Sequence, residues 1–226
     1  MHRTSNGWIR VYKEKEALWI HDGNPKRPHV LLTSGKHSNG FFNSRPMISD
    51  ETLLREVAQD LFVLLFVSAD LDIVEMINCI VGPQKGATKL AEFFSYQIAD
   101  YTGKPCFWAS PAKNEVGGAK SMVFSEEERD RPSGRFVLLC EDVLTTGGSV
   151  GLAEAATVKV GGVVLPFMVV IVNRSGLAEV GDKKIIALVD YPMPTWEPED
   201  CPLCKGKEGS EAIPAKDNWA RLNATY

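Results

Sequence analysis

Phe136-Val-Leu-Leu-Cys-Glu-Asp-Val-Leu-Thr-Thr-Gly-Gly-Ser149 is an apolar run that passes into two adjacent acids and then a hydroxyl- and glycine-rich turn. A short apolar run bounded by a turn reads as a strand buried on both faces, which suits a parallel sheet covered by crossover helices. The residues from about Gly148 to Val160 read as a helix, so the turn joins strand to helix. Ligands of open α/β sheets bind at that place, beyond the carboxyl end of a strand. Glycines there let the backbone approach a phosphate closely, and a helix N-terminus favours its negative charge. Glu141 and Asp142, just upstream, are acceptors suited to sugar hydroxyls. Acid pair and phosphate cradle together describe a site for ribose 5-phosphate.

The flanking sequence repeats the same alternation. Ile77-Asn-Cys-Ile-Val81 and Pro105-Cys-Phe-Trp108 read as strands, with a helix from Gly86 to Tyr101 between them. Val163 to Val172 and Lys184-Ile-Ile-Ala-Leu-Val189 complete the series. Upstream, Ser49 or Asp50 caps a helix in which Leu53, Leu54, Val57, Ala58, Leu61, Leu64 and Leu65 recur at helical spacing. The expected class is α/β, a mostly parallel twisted sheet flanked by helices. Residues 1–30 read as mixed and polar, with a turn at Asp22-Gly-Asn-Pro-Lys-Arg-Pro28, and the tail from Tyr191 as a loop-rich appendage. The organisation expected is one domain over 1–226: a core at about 50–190, and a small hood from about 1–49 and 191–226.

The 226 residues carry a formal net charge of −4, which argues against nonspecific nucleic-acid binding but leaves room for a local basic pocket. The first residues lack the apolar stretch of a signal peptide, and the longest apolar run, Leu61 to Val67, is too short to cross a bilayer. Five cysteines fit a reducing compartment, so the expectation is a cytoplasmic protein without nucleic-acid or membrane partners.

The string from Phe136 to Ser149 resembles the phosphoribosyl pyrophosphate signature of the type I phosphoribosyltransferases. The resemblance implies that Glu141 and Asp142 hold the ribose 2- and 3-hydroxyls, and that Leu144, Thr145, Thr146, Gly147, Gly148 and Ser149 hold the 5-phosphate. Val81-Gly-Pro-Gln-Lys-Gly86 matches the family's pyrophosphate loop, with Lys85 on the leaving group. Two further segments resemble the orotate branch. In Thr33-Ser-Gly-Lys-His-Ser-Asn-Gly-Phe-Phe-Asn43, Phe41 and Phe42 would pack on a pyrimidine ring, a role suited to planar apolar side chains, although adjacent phenylalanines are also ordinary core. Val172-Asn-Arg174 stands where that branch has Asp-Arg, so Arg174 would take the base's carboxylate two-pronged.

The implied activity joins orotate to ribose 5-phosphate from phosphoribosyl pyrophosphate, with Mg²⁺ as cofactor and Asp142, Lys113 and Lys85 acting on the reacting groups. The resemblance also implies a homodimer in which a lid, Lys113 to about Pro132, reaches the neighbouring site. Three positions and one stretch depart from the branch. Thr33 replaces a lysine, leaving Lys36 as the nearest cation; Glu141 and Asn173 replace aspartates; and Ala109 to Gly118 keeps Lys113 but has neither arginine nor histidine. A purine-specific transferase and a non-catalytic sensor of phosphoribosyl pyrophosphate are the alternatives. Cys201-Pro-Leu-Cys204 has the spacing of half a zinc site. No second pair or nearby histidine follows, and His2, His21 and His29 give no readable signal, so the pair is expected to hold no metal in a single chain unless two chains pool four thiolates.

Overall fold

The computed structural model describes residues 2–205 and 209–226. The chain begins with α1 (Ser5–Glu14), β1 (Leu18–Ile20), β2 (His29–Leu31), β3 (His37–Ser38) and β4 (Gly40–Phe42). Then come α2 (Arg45–Ser49), α3 (Glu51–Ser68), α4 (Leu71–Met76), β5 (Cys79–Val81), α5 (Thr88–Thr102) and β6 (Phe107–Ala109). The hairpin β7 (Ala112–Val116) and β8 (Ala119–Val123) precedes β9 (Phe136–Leu144), α6 (Gly148–Lys159) and β10 (Val163–Asn173). The last elements are β11 (Glu179–Val180), β12 (Lys183–Asp190), β13 (Thr195–Trp196), β14 (Ala212–Pro214) and α7 (Trp219–Leu222).

The central sheet runs β11-β12-β10-β9-β5-β6, parallel throughout except for the short edge strand β11. Its strands are apolar because both faces are covered, and their side chains divide by strand alternation. Ile80, Leu138, Cys140, Val169 and Ile171 face one core with α1, α3 and α5, while Val81, Val137, Leu139, Met168 and Val170 face a second core with α6 and Met122 of β8. Helix α3 starts where its cap predicts, the Asp50 carboxylate accepting from Leu53 N at 3.1 Å. Among the described residues no helix is long and apolar enough to cross a membrane.

Two parts of the chain are more ordered than the sequence predicts. The polar N-terminal stretch contains α1, whose Trp8 and Tyr12, one turn apart, are fully buried. Buried Asp60 of α3 anchors it, accepting from Trp8 Nε1 at 2.8 Å and Arg3 N at 2.9 Å and bonding His2 Nδ1 at 2.6 Å. The C-terminal tail is loop-rich, as read, but carries two short strands that join a sheet. With the N-terminal segment it forms a four-stranded hood sheet, β13-β3-β2-β14, over a small cluster of Trp19, Val30, Leu32, Ile213, Ala215 and Leu222.

The hood also corrects the reading of the cysteine pair. Cys201 and Cys204 lie beside His29 and His37, and the four potential ligand atoms all lie within 4.8 Å of one another. The sequence hid this because His29 precedes Cys201 by 172 residues and only the pairing of β2 with β3 turns both rings to one place.

Candidate active site

In chain order the five parallel strands pair in the sequence second, first, third, fourth, fifth, so the connections diverge between β5 and β9. That switch point opens a crevice between the loops that follow the two strands. Here it is a cleft of about 1150 Å³ lined by both loops, by Phe41 to Ser49, by Arg174, by Lys113 and by Pro214 to Asp217 of the tail.

The loop after β9, Thr145 to Gly147, enters α6 with no side chain capping the helix. First-turn amides are the orphan donors of a helix, and they open into the cleft here. Gly147 is required twice over: its φ is +80°, and a Cβ there would lie 2.6 Å from Val180 Cγ1. The loop after β5 presses against the acids, for a Cβ on Gly86 would lie 2.6 Å from an Asp142 carboxylate oxygen. Its Gln84–Lys85 peptide is cis. Ser110 holds this loop from β6, donating its hydroxyl to Gly82 O at 2.7 Å while its carbonyl accepts from Gln84 Nε2 at 3.0 Å.

Glu141 is buried and Asp142 half-buried at the cleft floor. Burial pushes the Glu141 carboxyl well above the usual carboxylate range, the Asp142 charge adds to this, and Lys113 opposes it. A floor of this kind favours a ligand that brings hydrogen-bond donors or positive charge.

Arg174 leaves the end of β10 and is 1% exposed, with its backbone N–H donated to Leu144 O at 3.0 Å. Nη1 donates to Gly40 O at 3.0 Å and Nη2 to Ser38 Oγ at 2.6 Å, both in the hood. Nε has no partner, and among the described residues no carboxylate pairs with the guanidinium. Burial lowers its pKa to about 10, so it stays charged at neutral pH. A desolvated cation facing a cleft is suited to an anion.

Of the other residues expected at the site, Lys85 and Lys113 line the cleft, and both are exposed. Lys113 stands on β7 of an ordered hairpin, in the wall of its own chain's cleft, whereas the resemblance implied service to a neighbouring one. Phe41 and Phe42 separate as adjacent strand residues must. Phe42 is 2% exposed and packs edge-on with Tyr12 and Tyr191, whereas Phe41 lies half-buried beside Trp219 in the hood. Lys36 does not line the cleft; its ammonium is 2.8 Å from Glu197. Arg45 and Lys216 do line it and were missed, since neither sits in a motif and Lys216 arrives only through the pairing of β14 with β2.

No protein-family model matches the chain. It is 30% identical over 203 residues to an orotate phosphoribosyltransferase of Pelotomaculum thermopropionicum, covering 88% of this chain and 92% of that one. It is 29% identical over 191 residues to an orotate phosphoribosyltransferase of Acidithiobacillus ferrooxidans, covering 84% and 90%. The crystal structure of orotate phosphoribosyltransferase from Aeropyrum pernix superposes with a TM-score of 0.56 at 22% identity, over 80% of this chain and 92% of that one, a likeness of fold.

Proposed function

Because the chain belongs to the orotate phosphoribosyltransferase family, we propose that its cleft transfers ribose 5-phosphate from phosphoribosyl pyrophosphate to orotate. The ring nitrogen of orotate gives up its proton to solvent and forms the new bond to C1 of the ribose, the C1–O bond breaks, and pyrophosphate leaves with that electron pair. The products are orotidine 5-phosphate and pyrophosphate, a step of pyrimidine synthesis. The observation that carries the choice of base is Arg174, a buried guanidinium with an unbonded Nε and, among the described residues, no acidic partner, lining the same cleft as the acid pair.

The roles follow the geometry. The amides and hydroxyls of Thr145 to Ser149 cradle the 5-phosphate, with the α6 dipole behind them. Glu141 and Asp142 accept from the ribose hydroxyls, fixing the sugar while positive charge builds on the ring in an oxocarbenium-like transition state. Lys85 and Lys113 meet the negative charge that grows on the departing pyrophosphate. Phe41 offers the face for the pyrimidine, since the Phe42 ring is enclosed by Tyr12 and Tyr191.

Mg²⁺ fits this floor. The cleft offers two adjacent carboxylates, Glu141 and Asp142, and that small oxygen donor set suits an ion that keeps substrate phosphates and waters as its remaining ligands. When bound, Mg²⁺ neutralises charge on the pyrophosphate and orders the ribose hydroxyls beside the acids.

A product assay across orotate, uracil, adenine and hypoxanthine tests the proposal. Orotidine 5-phosphate as the dominant product supports it; preference for a purine, or binding of phosphoribosyl pyrophosphate with no turnover on any base, overturns it. The homodimer is part of the same reading. Mixing Lys113→Ala with Asp142→Asn chains, with subunit exchange verified, distinguishes service to the neighbouring site, which restores activity, from service to the lysine's own, which does not.

A further inference from the structure

The hood carries a second cluster of reactive side chains that the transfer reaction leaves unused. His29 Nε2 stands 3.0 Å from His37 Nδ1 and 3.5 Å from each of Cys201 Sγ and Cys204 Sγ. Cys204 Sγ is 3.3 Å from His37 Nδ1. Hydrogen bonding does not account for this arrangement. An imidazole nitrogen has either one hydrogen or one lone pair, yet His29 Nε2 has three neighbours at bonding distance. One cation at the centre serves all four atoms.

We propose that His29, His37, Cys201 and Cys204 bind a structural zinc ion. Tetrahedral zinc with nitrogen at about 2.05 Å and sulfur at about 2.3 Å sets its ligand atoms about 3.3 Å apart for two nitrogens and about 3.6 Å apart for nitrogen and sulfur. The four measured separations fall within a few tenths of an ångström of those edges. Two thiolates with two imidazoles is a donor set that selects zinc over hard cations.

The surroundings are built for such an ion. Cys201-Pro-Leu-Cys204 folds back on itself, with Cys204 N donating to Cys201 O at 3.2 Å. His29 and His37 project from one face of the paired strands β2 and β3, on diagonal positions. Cys201 and His29 are fully buried and His37 is buried. Buried Ser210 lies 2.5 Å from His29 Nδ1, the outer-shell contact that holds the ring with Nε2 free for a metal.

The need is physical as well. The hood's strands are only two or three residues long, and its hydrophobic cluster is small. A sheet this slight requires a staple. His37 directly precedes Ser38, which holds Arg174, and Leu31 to Ser34, just beyond His29, line the cleft. The ion would therefore set the position of one wall of the cleft while lying outside it.

The experiment uses the full chain, purified with a reductant and without chelator. Elemental analysis is expected to give one zinc per chain, and replacement by Co²⁺ to give the visible d–d bands of a tetrahedral site with thiolate-to-cobalt charge transfer. Zinc content should drop to background in Cys204→Ser. Because that variant risks misfolding, wild-type protein is also titrated with a mercurial reagent while zinc release is followed with a metallochromic dye; release of one zinc for two modified thiols is the expected result. Protein that takes up no zinc from excess Zn²⁺ with its thiols reduced, or that holds a Cys201–Cys204 disulfide by intact mass, overturns the proposal, as does zinc retained in both Cys204→Ser and His37→Ala.

Discussion

Replacing Arg174 by lysine keeps the charge and removes the fork. The guanidinium has five N–H donors, one given to Gly40 O and one to Ser38 Oγ, which leaves Nε–H and two terminal hydrogens for a ligand. A lysine ammonium concentrates its three donors on one atom and cannot span the two hood acceptors and a carboxylate together. The expected loss is about one charge-assisted hydrogen bond, roughly 1.5–3 kcal/mol, or about ten- to a hundredfold in kcat/KM for orotate. Phosphoribosyl pyrophosphate should bind within about twofold of wild type, because only the base end loses its partner. Calorimetry gives the second quantity, a continuous assay at varied orotate the first, and the melting temperature of unliganded protein confirms that the hood has held. Equal losses of orotate and phosphoribosyl pyrophosphate affinity, or an unchanged orotate KM, would refute the assignment of Arg174 to the base.

Three other perturbations probe separate links. Phosphoribosyl pyrophosphate with Mg²⁺ should raise the melting temperature by mass action, and Asp142→Asn should abolish most of that rise while leaving the unliganded protein folded; a full rise in the variant would place the ribose elsewhere. Burial and Asp142 raise the Glu141 carboxyl in the folded state, so the folded chain holds the proton longer than the unfolded one and this group's contribution to stability falls as pH rises above the unfolded value. Glu141→Gln should accordingly stabilise the unliganded protein more at about pH 8 than at about pH 5 in paired thermal melts, and a pH-independent difference would contradict the burial argument. Asp60→Ala leaves the buried Trp8 indole N–H without an acceptor and should cost about 1.5–3 kcal/mol. For a chain of this length that lowers the melting temperature by roughly 3–12 °C, and a change under a degree would mean that α1 is held by packing alone.

The central sheet was legible because its strands are buried on both faces and so carry uninterrupted apolar runs, and because β9 ends in a string whose acids and glycine-rich turn read together as one motif. Even so, the strand continues through Glu141 and Asp142 to Leu144, since the acids remain in the ladder with β10. The hood was expected from the N-terminal segment and the C-terminal tail, but its elements were not legible. Strands of two or three residues are too short to carry a period, and α1 hides its Trp8–Tyr12 stripe among charged neighbours. The deeper burial of Phe42 than of Phe41 was knowable, because adjacent strand residues point to opposite faces. The partners of Cys201 and Cys204 were not, because strand pairing rather than spacing selects them. The same holds for Lys36, whose Glu197 neighbour lies beside β13 in the distant tail.

β2 pairs with β14, and the first and last segments meet again where Asn24 Nδ2 donates to Tyr226 O and Arg27 Nη2 to Ala224 O. On the ribosome this is a question of waiting. β2 is synthesised some 180 residues before the strand that closes its edge, an interval of about 10–40 s at about 5–20 residues per second. The central sheet can close in that time, while the cleft wall built from Pro214 to Asp217 cannot. A nascent chain stopped short of Ala212 would thus have its central sheet in place while one wall of the cleft, Pro214 to Asp217, was still missing.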